Sequence, residues 1–221
     1  MSVFLAVLWK DLLVEWRSRD RLAAMAVFAL LVVVMFQFAT PPGASPESRA
    51  HLPGLLWIAW LFAGILGLNR AFALELENDA WSGLALAPAD RGWIYLGKAA
   101  ASLAVLLAVQ LLSGVAFALA FAVPLDAAAP GLAAVAGLGA LGITALGTLF
   151  AAVAARTAYR EAMLPLLLLP LLVPILLGAV RASAAVLADG TLPWPPLRLL
   201  LVTDAVFLIV SFLCFEYVLD E

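Results

Sequence analysis

Residues 99–123 read AAASLAVLLAVQLLSGVAFALAFAV, a run of 25 residues in which no side chain carries a charge. A helix rises about 1.5 Å per residue and the hydrocarbon core of a bilayer is about 30 Å thick, so a run of this length crosses a membrane as one helix. The only polar side chains in it are Ser102, Gln110 and Ser113, too few for the polar face of a surface helix. Five further apolar stretches, residues 22–38, 52–74, 132–155, 163–180 and 199–219, complete the pattern. The chain reads as an all-α membrane protein with six transmembrane helices.

Composition agrees with that reading. Hydrophobic residues make up 66% of the chain and charged residues 12%, about half the charged fraction of an average soluble protein. Mean hydropathy is +1.12. Six spans within 221 residues leave no room for a separate soluble domain, so residues 1–221 are expected to form a single transmembrane domain. The net charge of -3 gives no cue for a nucleic-acid partner. Cys214 is the only cysteine, which excludes an intramolecular disulfide.

The charges are informative through their positions. Lys10, Arg17, Arg19 and Arg21 precede the first span; Arg70, Arg91 and Lys98 surround the second connection; Arg156 and Arg160 mark the fourth. The alternate connections hold only Arg49, Arg181 and Arg198. Short loops rich in Lys and Arg stay in the cytoplasm, so both termini and the loop over residues 75–92 are expected there.

Residues 1–20 read as an amphipathic interfacial helix. Leu5, Leu8, Trp9, Leu12 and Trp16 recur at steps of three and four on one face, with Lys10, Asp11, Arg17 and Ser18 on the other. The first outer loop contains Pro41, Pro42, Gly43 and Pro46, and Pro53 suits the first turn of the second span. Arg49 and His51, the sole histidine, stand at that outer boundary, where they are candidates for meeting an anionic ligand. A solvated histidine is the plainer alternative.

In the fourth span, Ala136, Ala140, Thr144, Thr148 and Ala152 recur every fourth residue beside Gly139, Gly142 and Gly147. Small side chains on one face let helix backbones approach closely in lipid, so this is read as a packing face. The fifth span holds Pro165, Pro170 and Pro174, which predict a kinked, broken or re-entrant helix, with a full span favoured. Asp204 falls inside the sixth span, as a functional carboxylate, an ion-pair partner or a group hydrated by the outer headgroups.

No cluster of metal-ligating or nucleophilic residues points to catalysis or to an intrinsic cofactor. Gly92, Gly97 and Lys98 give the front of a phosphate-binding loop, but Ala99 stands where a hydroxyl should meet magnesium and no strand precedes it. Energy for active transport would then come from a separate subunit. The loop holding Glu75, Glu77, Asp79, Trp81, Leu84, Leu86 and Pro88 supplies a docking element for one. It reads as an acidic first turn, a short helix with apolar knobs, and a proline stop.

Four segments together resemble the CcmB family of cytochrome c maturation membrane subunits. They are the helix from Trp9-Lys10-Asp11 to Arg21, the Pro53-Gly54-Leu55-Leu56-Trp57 opening of the second span, the loop over residues 75–88, and the leucine and proline run over residues 164–178. The resemblance covers nearly the whole chain. It implies an ABC-2-type permease architecture in a bacterial inner membrane and two copies of this subunit beside two copies of a CcmA-like ATPase. CcmC-like and CcmD-like membrane proteins would complete the assembly, with haem as the handled or transported ligand and ATP on the partner. The alternatives are a permease of the same class for a lipid or drug, or a scaffold without a transport path.

Overall fold

The computed structural model describes residues 2–40, 51–77, 90–123, 128–155, 157 and 159–220. Seven helices account for nearly all of them: α1 Val3–Ser18, α2 Asp20–Ala39, α3 Leu52–Glu77, α4 Arg91–Ala120, α5 Ala129–Ala155, α6 Arg160–Asp189 and α7 Trp194–Asp220. Six, α2 to α7, are long and apolar enough to span a bilayer. The expected spans are therefore present, but several run further than their apolar cores. The flanking polar residues do not break a helix, and each end is set by local chemistry instead. Asp90 caps α4 by accepting a hydrogen bond from the Gly92 amide at 2.9 Å. Gly190, at φ 68°, closes α6 in the left-handed conformation that glycine adopts without strain. Pro195 and Pro196 sit in the first turn of α7, where a missing amide hydrogen costs nothing.

The proline-rich span is one helix. From Arg160 to Asp189, α6 continues through Pro165, Pro170 and Pro174, so it is neither broken nor a re-entrant hairpin. Its inner stripe explains the continuity. Leu164, Leu168, Leu172, Ile175, Ala179 and Ala182 are all fully buried at steps of three and four, so packing along the whole length holds the axis where individual backbone bonds are missing.

The glycine- and threonine-bearing α5 occupies the centre of the bundle. Ala140, Thr144, Thr148 and Ala152 are buried, as a packing face requires, and α5 touches α3, α4, α6 and α7. A Cβ placed on Gly142 would overlap Asp204 on α7 and Ile175 on α6. Gly67 likewise receives Met25 of α2. Gly64 and Gly67 therefore bring α3 close to its neighbours.

Side-chain contacts distinguish the two ends of the bundle. At one end, Arg70 approaches Asp20, Lys98 approaches Asp11, and Arg91 Nη1 donates to the Glu216 carbonyl at 3.1 Å. This end carries the Lys and Arg excess that marks the cytoplasmic face. At the other, outer end, Trp57 meets Ser183 and Gly131 meets Val186. An even number of spans returns both termini to the cytoplasmic side.

Candidate functional site

The cytoplasmic rim begins with α1. Its Leu5, Trp9 and Trp16 are exposed toward the bilayer interface, which suits amphipathic aromatic rings. The sequence, however, placed Asp11 on the polar face, and the structure turns it inward. Val7, Asp11 and Glu15, spaced by four, form the stripe that faces the bundle. Gly97 of α4 lets Val7 approach so closely that an added Cβ would lie 2.9 Å from the Val7 Cβ. Lys98, one residue on, is buried and ion-pairs with Asp11 at 3.3 Å, its Nζ lying 4.9 Å from the Phe72 ring centre. The apparent phosphate-loop lysine is thus a joint between α1 and α4.

The turn from α1 into α2 is buckled by one carboxylate. Arg19 takes the left-handed conformation at φ 56°, turning the chain within a single residue. Glu15 then accepts hydrogen bonds from Arg21 Nε at 2.7 Å and from the Leu22 amide at 2.8 Å. The second bond satisfies one of the open amides at the start of α2, a capping role filled from the preceding helix. Sequence periodicity missed this because Glu15 and Arg21 pair across a bend, where helical spacing does not apply.

α3 ends and α4 begins on the same rim. Glu75 and Glu77 lie in the last turn of α3, so they do not open a new helix as the sequence suggested. The reason is length: α3 runs on past its apolar core to Glu77. Asp79, Trp81, Leu84 and Leu86 lie outside the described residues, as do Arg49 and the proline-rich first outer loop.

On the outer side, His51 is exposed in the turn before α3, and its carbonyl accepts from the Leu55 amide at 3.2 Å. Asp204 differs from the hydrated picture. It is 3% exposed, and neither carboxylate oxygen has a hydrogen-bond partner among the described residues. It stands ten residues into α7, about 15 Å from the outer end, against the middle of α5 and of α6. The difference arises because α7 starts at Trp194, inside the proline turn, which carries Asp204 toward the midplane. The structure does not bring Asp204 and His51 together.

A cavity of about 370 Å³ lies in the outer half, between α3, α4, α5 and α6. Its walls include Trp57 and Trp60, whose rings meet edge to face with centroids 5.0 Å apart. The two indole N–H groups donate to Ser183 and Ser113, at 3.0 and 2.9 Å. No sequence signal marked this cavity, because its walls are ordinary apolar residues of four separate spans.

Six spanning helices with a surface helix clasped to their cytoplasmic end define a polytopic membrane subunit of the ABC-2-type permease class. The family model described as CcmB protein matches residues 2–219, and the chain belongs to that family. Among similar proteins, the heme exporter protein B of Paracoccus denitrificans is 34% identical over 183 residues, 81% of this chain and 83% of that protein. The heme exporter protein B of Bradyrhizobium diazoefficiens is 31% identical over 213 residues, 96% of this chain and 94% of its own length. That of Pseudomonas aeruginosa is 31% identical over 203 residues, 87% of each chain.

Proposed function

We propose that this chain is the membrane-spanning subunit of an ATP-driven complex that handles haem for cytochrome c maturation. The observation that carries the reading is the end-to-end family match, residues 2–219, with relatives named for haem export. Two copies would pair with a CcmA-like ATPase, CcmC-like and CcmD-like proteins completing the assembly. ATP is then hydrolysed on the partner, and this subunit converts the closure of the ATPase into movement of its spans.

Coupling is assigned to Glu75, Glu77, Asp79, Trp81, Leu84 and Leu86. α3 ends at Glu77 and α4 begins at Arg91, on a rim where ion pairs tie α1 to α4 and α2 to α3. A load applied there reaches several helices at once. Arg49 and His51, which precede α3 in the sequence, are the candidates to meet haem propionates, since cationic and hydrogen-bonding groups suit carboxylates. Asp204 is the candidate polar group along the path.

The test of coupling is a pull-down. A Trp81→Ala, Leu84→Asp double variant should insert normally yet retain far less ATPase partner; unchanged retention removes this assignment. For the outer residues, an Arg49→Ala, His51→Ala variant should lower the yield of mature cytochrome c, and a normal yield overturns their role.

A further inference from the structure

The outer-half cavity holds a polar group that its own walls leave unsatisfied. Gln110, on α4, is 3% exposed and lines the cavity, and neither its amide nitrogen nor its amide oxygen has a partner among the described residues. The neighbouring polar groups are already engaged. Trp57 and Trp60 donate to Ser183 and Ser113, and the Ser113 hydroxyl donates to the Val109 carbonyl at 2.6 Å. A buried amide with both functions unmet carries the desolvation cost of each without the hydrogen bond that would offset it. Such a group inside an otherwise apolar pocket points to a ligand that completes it.

The walls restrict what that ligand is. None of the described lining residues is Lys, Arg, His, Asp or Glu, so a charged group would enter without a counter-ion. Apart from Ser183, whose oxygen accepts from Trp57, the rest of the wall is glycine, aliphatic and aromatic, and the volume falls in the range of small-molecule sites, roughly 300–1,000 Å³. Access is from the membrane: Leu107, Leu111 and Val115 on the wall are exposed on the flank of α4 (Leu111 at 71%), and Ala133 is exposed on α5. The polar group required must donate to the Gln110 oxygen and accept from its nitrogen side by side. A neutral carboxylic acid does both in one ring of two hydrogen bonds; an ester only accepts.

We propose that the cavity is a binding site for a long-chain carboxylic acid in its neutral form, entering sideways from the bilayer between α4 and α5 and pairing its carboxyl with Gln110. This site is separate from the haem reading and stands or falls without it. Its role would be to fill and rigidify the outer half of the bundle, where four spans meet.

The experiment uses the purified full chain in lipid nanodiscs with two probes, palmitic acid carrying a mid-chain diazirine and the methyl ester of the same molecule. On illumination the acid should label residues 107–118 and 129–136, at least fivefold more than the ester, and unlabelled palmitic acid should compete. Gln110→Leu should lower acid labelling to the level of the ester. Ala133→Trp, placed at the exposed mouth, should reduce labelling by both probes. Equal labelling by acid and ester, acid labelling unchanged in Gln110→Leu, or label confined to the open face of α7 would each overturn the proposal.

Discussion

Lys98 Nζ lies 3.3 Å from Asp11 Oδ2 across the joint between the surface helix and the base of α4, but the two partners are not equally buried. The Lys98 side chain is 4% exposed and that of Asp11 18%, and Asp11 also has Lys10 at 3.0 Å. Removing Asp11 takes a carboxylate partner from a deeply buried cation, a loss of about 1–3 kcal/mol. Removing Lys98 leaves Asp11 with Lys10 and partial hydration, a loss of about 1 kcal/mol or less. Chemical unfolding in detergent should therefore rank Asp11→Ala as clearly more damaging than Lys98→Met. Equal losses would show that the burial asymmetry has no energetic weight.

Gly142 and Gly137 lie on the same helix and should respond in opposite directions to alanine. A Cβ on Gly142 collides with Asp204 and Ile175, whereas one on Gly137 meets nothing within 4 Å. Gly142→Ala is expected to destabilise by about 1–3 kcal/mol through overpacking. Gly137→Ala should stabilise by up to about 1 kcal/mol through helix propensity. Thermal unfolding of both variants checks the sign, and a neutral Gly142→Ala would mean that the three helices are not in tight contact.

Asp204 offers a separation of stability from activity. Its carboxylate is buried near the bilayer midplane without a partner among the described residues, where an aspartate costs about 2.5–3.5 kcal/mol. Leucine keeps the branch at Cγ and removes that cost. Asp204→Leu should raise unfolding stability by about 2 kcal/mol while lowering the yield of mature cytochrome c. A variant that is both more stable and fully active would remove Asp204 from the substrate path.

Topology can be read by thiol labelling after Cys214→Ser. Thr191 is a better reporter than Gly190, whose φ of 68° would strain a cysteine. Thr191→Cys should react with an impermeant reagent from outside the cell, and Glu221→Cys should react only after permeabilisation. The reverse result would invert the bundle.

What the sequence disclosed was what depends on length and period. Apolar runs, alternating Lys and Arg, and the small residues of α5 specified six spans, the charge asymmetry that orients them and a packing face, because each is a local property. Asp11, Glu15 and Arg21 were legible as charges but not as a clasp, since their partners lie across a bend or 87 residues away. The depth of Asp204 depended on where α7 starts within a run of prolines, which hydropathy does not resolve. Gln110 passed as one polar residue in a long span, because only the assembly of four helices shows that nothing meets its amide.

The central claim, a permease subunit serving a separate ATPase in haem handling, is tested most directly by purifying the chain from bacterial membranes under mild detergent. Mass spectrometry, the haem absorption band and ATP hydrolysis would be recorded on the same sample. The account predicts a CcmA-like ATPase and CcmC-like protein in the complex, bound haem, and ATPase activity that falls with Trp81→Ala, Leu84→Asp. A chain that purifies without any ATPase, or with one whose complex carries no haem and whose loss leaves cytochrome c maturation normal, would contradict it.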